Sequence, residues 1–311
     1  MDITIVIPSY NRKALLKHTL GSILSSPMAD VPIIVVDNAS TDGTREFLES
    51  FICDHPNISI ASESNRNAAA ARNKGLSMVQ TTWVYFFDSD DEFEDIPHKW
   101  DSKADMIAFP TRQRFENRVS IRAYKPVADP AIHILNSMLS TQSMIFRTSW
   151  LKEIGGWNTT CRIWDDWELG ERALLASPVL QWKTGRAYHT INVHADSLTG
   201  PSFKSRYKLQ LEAIQQALTN TDSASLHDSK RCRKALMLRC CILSGQLLHE
   251  GDKKASAQCH AFITENFGQN PQGRIAGWIL EQYAAMGGRG AWRIAVWIMK
   301  DRKANEDTVI G

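Results

Sequence analysis

The chain predicts an α/β fold, a doubly wound, mostly parallel sheet (Rossmann-like) followed by a helical C-terminal region. Three observations carry this expectation. From Ile3 to Phe87, short apolar runs alternate with segments of helical periodicity. Ile33–Val36 and Trp83–Phe87 are apolar throughout, and Ile3–Ile7 nearly so, rather than at every second residue, the pattern of strands buried on both faces. From Phe203 onward the spacing is almost entirely helical.

The first run, Ile3–Ile7, is β-branched and ends at Pro8; the second, Ile33–Val36, ends at Asp37. Between them Leu15, Leu16, Leu20, Ile23 and Leu24 recur with helical spacing. After Asp37, the residues Asn38-Ala39-Ser40-Thr41-Asp42-Gly43 form a turn into a helix carrying Phe47, Leu48, Phe51 and Ile52. A short strand at Ile58–Ile60, an alanine-rich helix over Ala68–Val79 and a strand over Trp83–Phe87 continue the alternation. The pattern then loosens. Strands are expected at Met106–Phe109, Val119–Ile121, Ser143–Phe146, Val179–Lys183 and Ala187–Val193, and helices at Ala131–Leu139 and Thr148–Ile154. Gly155-Gly156 makes a sharp stop before Trp157, and Trp164-Asp165-Asp166-Trp167-Glu168 opens a further helix. The C-terminal helices fall near 203–219, 229–249, 255–267, 273–286 and 290–302, so the chain divides into an α/β domain over 1–203 and a helical region over 204–311.

With 311 residues, 43% hydrophobic and 23% charged, the chain has the composition of a globular protein large enough for a full core. No basic segment precedes Ile3, and no run reaches the ~18 apolar residues that a membrane span needs. A cytoplasmic protein is expected, with peripheral contact at the inner face of the membrane as an option. The six cysteines show no metal-binding spacing and read as reduced thiols. Charge is unevenly placed: 16 Lys and Arg against 10 Asp and Glu from Lys204 on, a balance of +6, leaving −4 for residues 1–203. Lys230, Arg231, Arg233, Lys234 and Arg239 form a basic cluster, and Trp292, Ala295, Val296 and Met299 make an apolar stripe with Arg293, Lys300, Arg302 and Lys303 around it. Such a helix can lie on an anionic membrane, or it can pack within the protein or in a homodimer. No nucleic-acid partner is expected.

Asp88, Asp90 and Asp91 follow the apolar run Trp83–Phe87, where open α/β sheets place their ligand crevice. Hard carboxylate oxygens at this spacing suit Mg2+ or Mn2+ shared with a diphosphate; the alternative is a solvated acidic turn. Neither GxGxxG nor GxxxxGK[ST] occurs in the first loop, so a nucleotide must be held another way. Asp165 and Asp166, at a helix start, cap free backbone N–H groups whatever else they do.

Six segments in order resemble the family 2 glycosyltransferases, inverting enzymes of the A-type glycosyltransferase fold. They are Ile5–Arg12, Ile34–Asp37 with Ser40–Thr44, Ala69–Gly75, Asp88–Asp91, Gly155–Trp157 and Asp165–Leu169. The resemblance implies a nucleotide-sugar donor, with UDP favoured, and a glycan or lipid-linked acceptor in cell-surface polysaccharide or glycolipid synthesis. It implies that Pro8 and Tyr10 wall the base, that Asp37 accepts from the uracil imide, and that Arg12 and Arg72 lie at the nucleotide or its phosphates. Asp88 would hold the ribose or the metal and Asp90 the metal, with Asp91 as a substitute. His194 would be a third metal or phosphate contact, with His189 its competitor. Asp166 would be the base that deprotonates the acceptor.

Two departures stand out: the common Asp-Asp-Gly-Ser is Asp37-Asn38-Ala39-Ser40, and Asn67 replaces a glycine often found after Asn65. A haloacid dehalogenase-like phosphotransferase would also place Asp-x-Asp after a strand, but near its amino terminus and followed by Thr or Val. A sugar-nucleotide-binding protein without turnover is the non-enzymatic alternative.

Overall fold

β1 (Ile3–Ser9) and β2 (Ile33–Asp37) are buried almost throughout and pair in parallel, as their unbroken β-branched runs dictate. The computed structural model describes residues 2–122, 128–193, 203–268 and 271–299, which fall into two units. The first unit gathers the described residues of Met1–Ala128, Leu139–Leu169 and Ala176–Gly200; the second gathers those of Asp129–Met138, Gly170–Leu175 and Pro201–Gly311.

Between the first two strands lies α1 (Lys13–Leu24), and α2 (Thr44–Phe51), β3 (Ile58–Ser62), α3 (Ala68–Met78) and β4 (Trp83–Phe86) follow β2. Next come β5 (Glu92–Phe93), β6 (Met106–Ala108), β7 (Thr111–Phe115) and β8 (Arg118–Arg122). After α4 (Pro130–Asn136), which belongs to the second unit, the chain runs through β9 (Met144–Arg147), α5 (Thr148–Glu153), α6 (Asp165–Leu175), β10 (Leu180–Trp182) and β11 (His189–Asn192). The main sheet has seven strands in the order β10-β6-β9-β4-β1-β2-β3; β9 runs antiparallel to both its neighbours and the other pairs are parallel. This is the mostly parallel sheet that the sequence predicts.

Alternate residues serve its two faces. Ile3, Ile5 and Ile7 join Ile33, Val35, Leu16, Leu20 and Ile23 in one core cluster. Val6 and Val36 point the other way, toward α3, where Gly75 lets the helix approach: a Cβ on Gly75 would lie 2.3 Å from Val6 Cγ1. The strand register sets Ser9 beside Asp37 and Asp37 beside Ser62, so the carboxyl ends of three strands line up.

A second sheet, β5-β11-β7-β8, was only half visible in the pattern. β8 and β11 coincide with expected strands, but β7 reads Thr-Arg-Gln-Arg-Phe and β5 spans two residues. Neither has the apolar signal; β7 is held by its antiparallel pairing with β8 and by the parallel β11.

The second unit adds α7 (Tyr207–Asp222), α8 (Leu226–His249), α9 (Lys253–Phe267), α10 (Pro271–Ala285) and α11 (Ala291–Met299). Ser225 and Asp252 cap α8 and α9 through their side-chain oxygens. α8 is the buried centre, and its Gly245 permits a close crossing, since a Cβ there would lie 2.3 Å from the Glu281 carbonyl oxygen. All six cysteines are free thiols. Among the described residues no helix is long and apolar enough to cross a membrane.

Two surface expectations change here. Three members of the basic cluster are engaged inside the unit: Arg231 with Asp129 (2.7 Å), Arg233 with Asp222 (2.9 Å) and Arg239 with the Ile134 carbonyl (2.6 Å). The apolar stripe of the last helix is divided: Ala295 and Met299 are buried and complete the packing of the helical unit, Val296 is half-buried and Trp292 is exposed. Lys300, Arg302 and Lys303 lie outside the described residues.

Candidate active site

The site is built where β1, β2 and β4 end. Asp37 is buried and its Oδ1 accepts from the Ser40 N–H at 3.2 Å. Asn11, with φ of +50°, ties the loop after β1 to the loop after β2: its N–H donates to Ser40 Oγ (3.0 Å) and its Oδ1 accepts from Thr41 N–H (2.7 Å). Asp42 accepts from the N–H groups of Lys13 and Thr44, fastening the starts of α1 and α2. Tyr10 remains exposed, with the Arg66 guanidinium 5.2 Å from its ring centre.

The two departures at positions 38 and 67 are partners. Asn38 Nδ2 donates to the carbonyls of Glu63 (2.9 Å) and Asn65 (2.6 Å), while its Oδ1 accepts from the Asn67 N–H (3.1 Å). Position 38 therefore needs an amide, because a carboxylate cannot donate. Asn67 in turn caps α3 through Ala70 N–H (3.1 Å) and donates to the Thr159 carbonyl (2.8 Å).

That cap aims α3 so that Arg72, five positions on, reaches the centre. Its Nη1 lies 2.5 Å from Asp165 Oδ2 and its Nη2 2.7 Å from Asp88 Oδ1. The guanidinium rests on the Trp157 ring at 4.5 Å. Trp157 is fixed by Asn73, whose side chain donates to the Trp157 carbonyl (2.7 Å) and accepts its N–H (2.9 Å). Burial alone would lower the Arg72 pKa, but Asp165 and then Asp88 outweigh it and hold the charge.

The acidic stretch divides its labour. Asp88 Oδ2 accepts from Gln142 Nε2 at 3.0 Å, and Asp90 pairs with Arg12 Nη1. Asp91 turns inward: it is buried, accepts from Gln142 Nε2 and from Asn192 N–H (2.8 Å), and anchors α1 through its carbonyl to Thr19 Oγ1 (2.8 Å). Burial, reinforced by Asp88 and Asp90, holds its carboxyl well above the usual carboxylate range. Asp91 thus ties the acidic stretch to α1, to Gln142 and to β11. Among the described residues, no three Asp, Glu, His or Cys side chains converge as a metal cluster.

α6 brings in the last acids. Asp165 Oδ1 accepts from Asp166 N–H (3.1 Å) and Asp166 Oδ1 from Trp167 N–H (2.8 Å), so both acids cap the helix start. Asp166 Oδ2 also accepts from Thr141 N–H at 3.3 Å. Burial, then the charge of Asp165, pushes the Asp166 carboxyl up to about 6. Burial outweighs Arg72 to raise Asp165 as well; burial also lowers the pKa of Arg122 of β8, which the Asp166 charge only partly offsets.

His189 is fully buried, edge-on to Phe87 and Phe109, with Nδ1 3.4 Å from the Tyr85 hydroxyl. Burial first, and Arg112 second, depress its pKa to about 3, so the ring is neutral and sits in the core. His194 lies outside the described residues. Gln142, Thr141 and Asn192 carry none of the spacing that marks the acids; only the fold brings them to the acidic stretch.

Residues 4–154 match the model of Glycosyl transferase family 2. This segment belongs to glycosyl transferase family 2. The family 2 segment is 37% identical over 93 residues to the putative teichuronic acid biosynthesis glycosyltransferase TuaG of Bacillus subtilis, covering 30% of this chain and 37% of that protein. It is 38% identical over 93 residues to glycosyltransferase GlyA of Streptococcus pneumoniae, covering 30% of this chain and 13% of that protein. The matches span well under half the length of these relatives. In structure the chain is similar to S. aureus TarS in complex with UDP-GlcNAc, with a TM-score of 0.63 at 16% identity over 96% of this chain and 91% of that one. It is also similar to the mannosyltransferase PcManGT from Pyrobaculum calidifontis, in complex with GDP-Man and Mn2+, with a TM-score of 0.52 at 16% identity over 96% of this chain and 84% of that one. These likenesses establish the A-type glycosyltransferase fold. The family 2 segment ends at Ile154, so Trp157, Asp165 and Asp166 stand beyond it and are joined to it through Asn73 and Arg72.

Proposed function

We propose that the protein is an inverting glycosyltransferase, moving a sugar from a nucleotide sugar to an acceptor hydroxyl by direct displacement. The observation that carries this reading is Arg72, which holds the strand-end acid Asp88 and the helix-start acid Asp165 on one guanidinium. Asp166 is thereby set next to the acidic strand end without being part of it. A leaving-group site and a separate base are what inversion requires.

Pro8, Tyr10, Arg12, Asp37, Arg72 and Asp88 are assigned to the donor nucleotide, with UDP favoured. Asp88 and Asp90, both partly accessible, form a hard oxygen donor set of the size that Mn2+ or Mg2+ uses when donor phosphates complete its shell. Bound there, with His194 assigned as a third contact, the ion would offset the charge developing on the departing nucleoside diphosphate. Arg12, paired with Asp90, would lie beside the same charge. Asp166 is assigned as base: its carboxyl is held by main-chain N–H groups, so its orientation does not depend on the donor.

The acceptor is assigned to a glycan or lipid-linked sugar in cell-surface polysaccharide or glycolipid synthesis, a role supported by the names of relatives such as TuaG and the minor teichoic acid biosynthesis protein GgaA. Such work would place the protein in the cytoplasm at the inner face of the membrane.

The test is a panel of nucleotide sugars screened by thermal shift with Mn2+, then donor hydrolysis or transfer by wild type and Asp166→Asn. The variant should keep donor binding and lose about 100-fold or more in turnover. Unchanged turnover removes Asp166 as the base. A product that retains the donor's anomeric configuration removes inversion.

A further inference from the structure

We propose that α10 and α11 form a docking surface for an anionic lipid bilayer. This surface shares only Trp292 with the stripe that the sequence pattern suggests, whose Ala295 and Met299 are buried. It is carried by Ile275, Trp278 and Ile279, which are 63%, 61% and 49% exposed, with Met286 (79%) beyond the helix end. The spacing of the first three puts them on one side of α10, while Gly277, Leu280, Glu281 and Ala284 face inward. On α11, Trp297 is 69% exposed, and Trp292 lies 5.2 Å from the Arg293 guanidinium. Large apolar side chains left to water along adjacent helices mark an interaction surface.

Charge chooses the occupant. Residues 271–299 contain three arginines, Arg274, Arg289 and Arg293, all exposed, and one acid, Glu281. Glu281 is buried and committed to His260 (2.7 Å) and Ser244 (2.5 Å). The accessible charge of these helices is therefore wholly positive. A second copy of the chain would set arginines against arginines across a two-fold axis, with no acid of these helices to offset them. An anionic bilayer matches both features: tryptophan and isoleucine enter the interfacial layer, and arginines meet lipid phosphates. The inference is independent of the transfer reaction.

The test is co-sedimentation of the full chain with phosphatidylcholine vesicles, with and without phosphatidylglycerol. Wild type should pellet with the anionic vesicles, less with the neutral ones, and less at high salt. Ile275→Ser with Trp278→Ser should weaken binding by about ten-fold or more, and Arg274→Ser with Arg289→Ser should remove the preference for phosphatidylglycerol. Unchanged thermal melting by circular dichroism shows that both variants fold. The proposal is overturned if wild type ignores anionic vesicles, or if the serine pair binds them like wild type. It is equally overturned if wild type is a dimer that the serine pair converts to monomer, since the face would then be a self-association surface.

Discussion

Arg72 and Asp165, 93 residues apart in sequence, meet at 2.5 Å with the arginine almost fully buried. A buried guanidinium that loses a partner, or a carboxylate that loses its guanidinium, is left uncompensated where water cannot replace it. Arg72→Ala is expected to lower the free energy of unfolding by about 3 kcal/mol and to abolish turnover. Arg72→Lys keeps the charge but cannot span Asp88 and Asp165 as a planar fork, so it should recover only part of the stability and little of the activity. Urea unfolding with an unchanged m-value checks the first claim; a loss below about 1 kcal/mol would show that the bridge is dispensable to the fold.

Asp166 links stability to pH in a direction opposite to activity. Its ordinary pKa of 3.8 is raised to about 6 in the folded chain, so between those values the native state holds a proton that the unfolded state has released. Its contribution to stability is therefore greatest below 3.8, falls as pH rises to about 6, and is constant above. Asp165 and Asp91 are shifted in the same direction. A base must be ionised, so turnover should rise through the same window and level off above it. Asp166→Asn should flatten part of the stability slope while removing the rise in activity. Melting temperature and initial rate measured across pH 4 to 8 decide it; a rate that falls from pH 5 to 7 excludes this base.

Much of the main sheet was legible because its strands are continuous apolar runs that end at Pro8, Asp37 and the acidic stretch, and burial on both faces leaves no other reading. The second sheet was not, since β7 carries two arginines and a glutamine and owes its strand to pairing with β8 and β11. In the site, the acids announced themselves by spacing, but their division did not. That Asp91 faces inward depends on Gln142 and Asn192, 51 and 101 residues away. Nor could periodicity tell that Ala295 and Met299 of α11 are buried while Trp278 of α10 is not, because both helices carry apolar residues all round.

Restoring the family's common residue at position 38 should harm this chain. Asn38→Asp removes two donated hydrogen bonds and sets a carboxylate against the Glu63 and Asn65 carbonyls, keeping only the bond that its oxygen accepts from the Asn67 N–H. A loss of about 1–3 kcal/mol is expected. The companion Asn67→Gly removes the cap on α3, at about 1 kcal/mol or less. Because the two side chains share one loop, the double variant should deviate from additivity, and thermal unfolding of the four-member cycle measures the coupling. Strict additivity would refute the partnership.

Gly156 bears on the proposed site without touching its acids. Its φ is +65°, and a Cβ there would lie 2.7 Å from Asn73 Oδ1, the atom that accepts the Trp157 N–H. Gly156→Ala therefore strains the backbone and displaces the clasp that holds the Trp157 ring under Arg72. Gly185 is the matched control: its φ is +106°, and no atom lies within 4 Å of a Cβ placed there. Gly185→Ala should show the backbone strain alone, about 1–2 kcal/mol, with donor affinity and turnover unchanged. Gly156→Ala should lose about 1–3 kcal/mol more, from overpacking, and turnover should fall beyond what instability explains, since Arg72 loses the surface on which it rests. Urea unfolding and steady-state rates of the two variants, measured well below their melting temperatures, separate the effects. Equal behaviour of the two would mean that the Asn73–Trp157 clasp does not position Arg72.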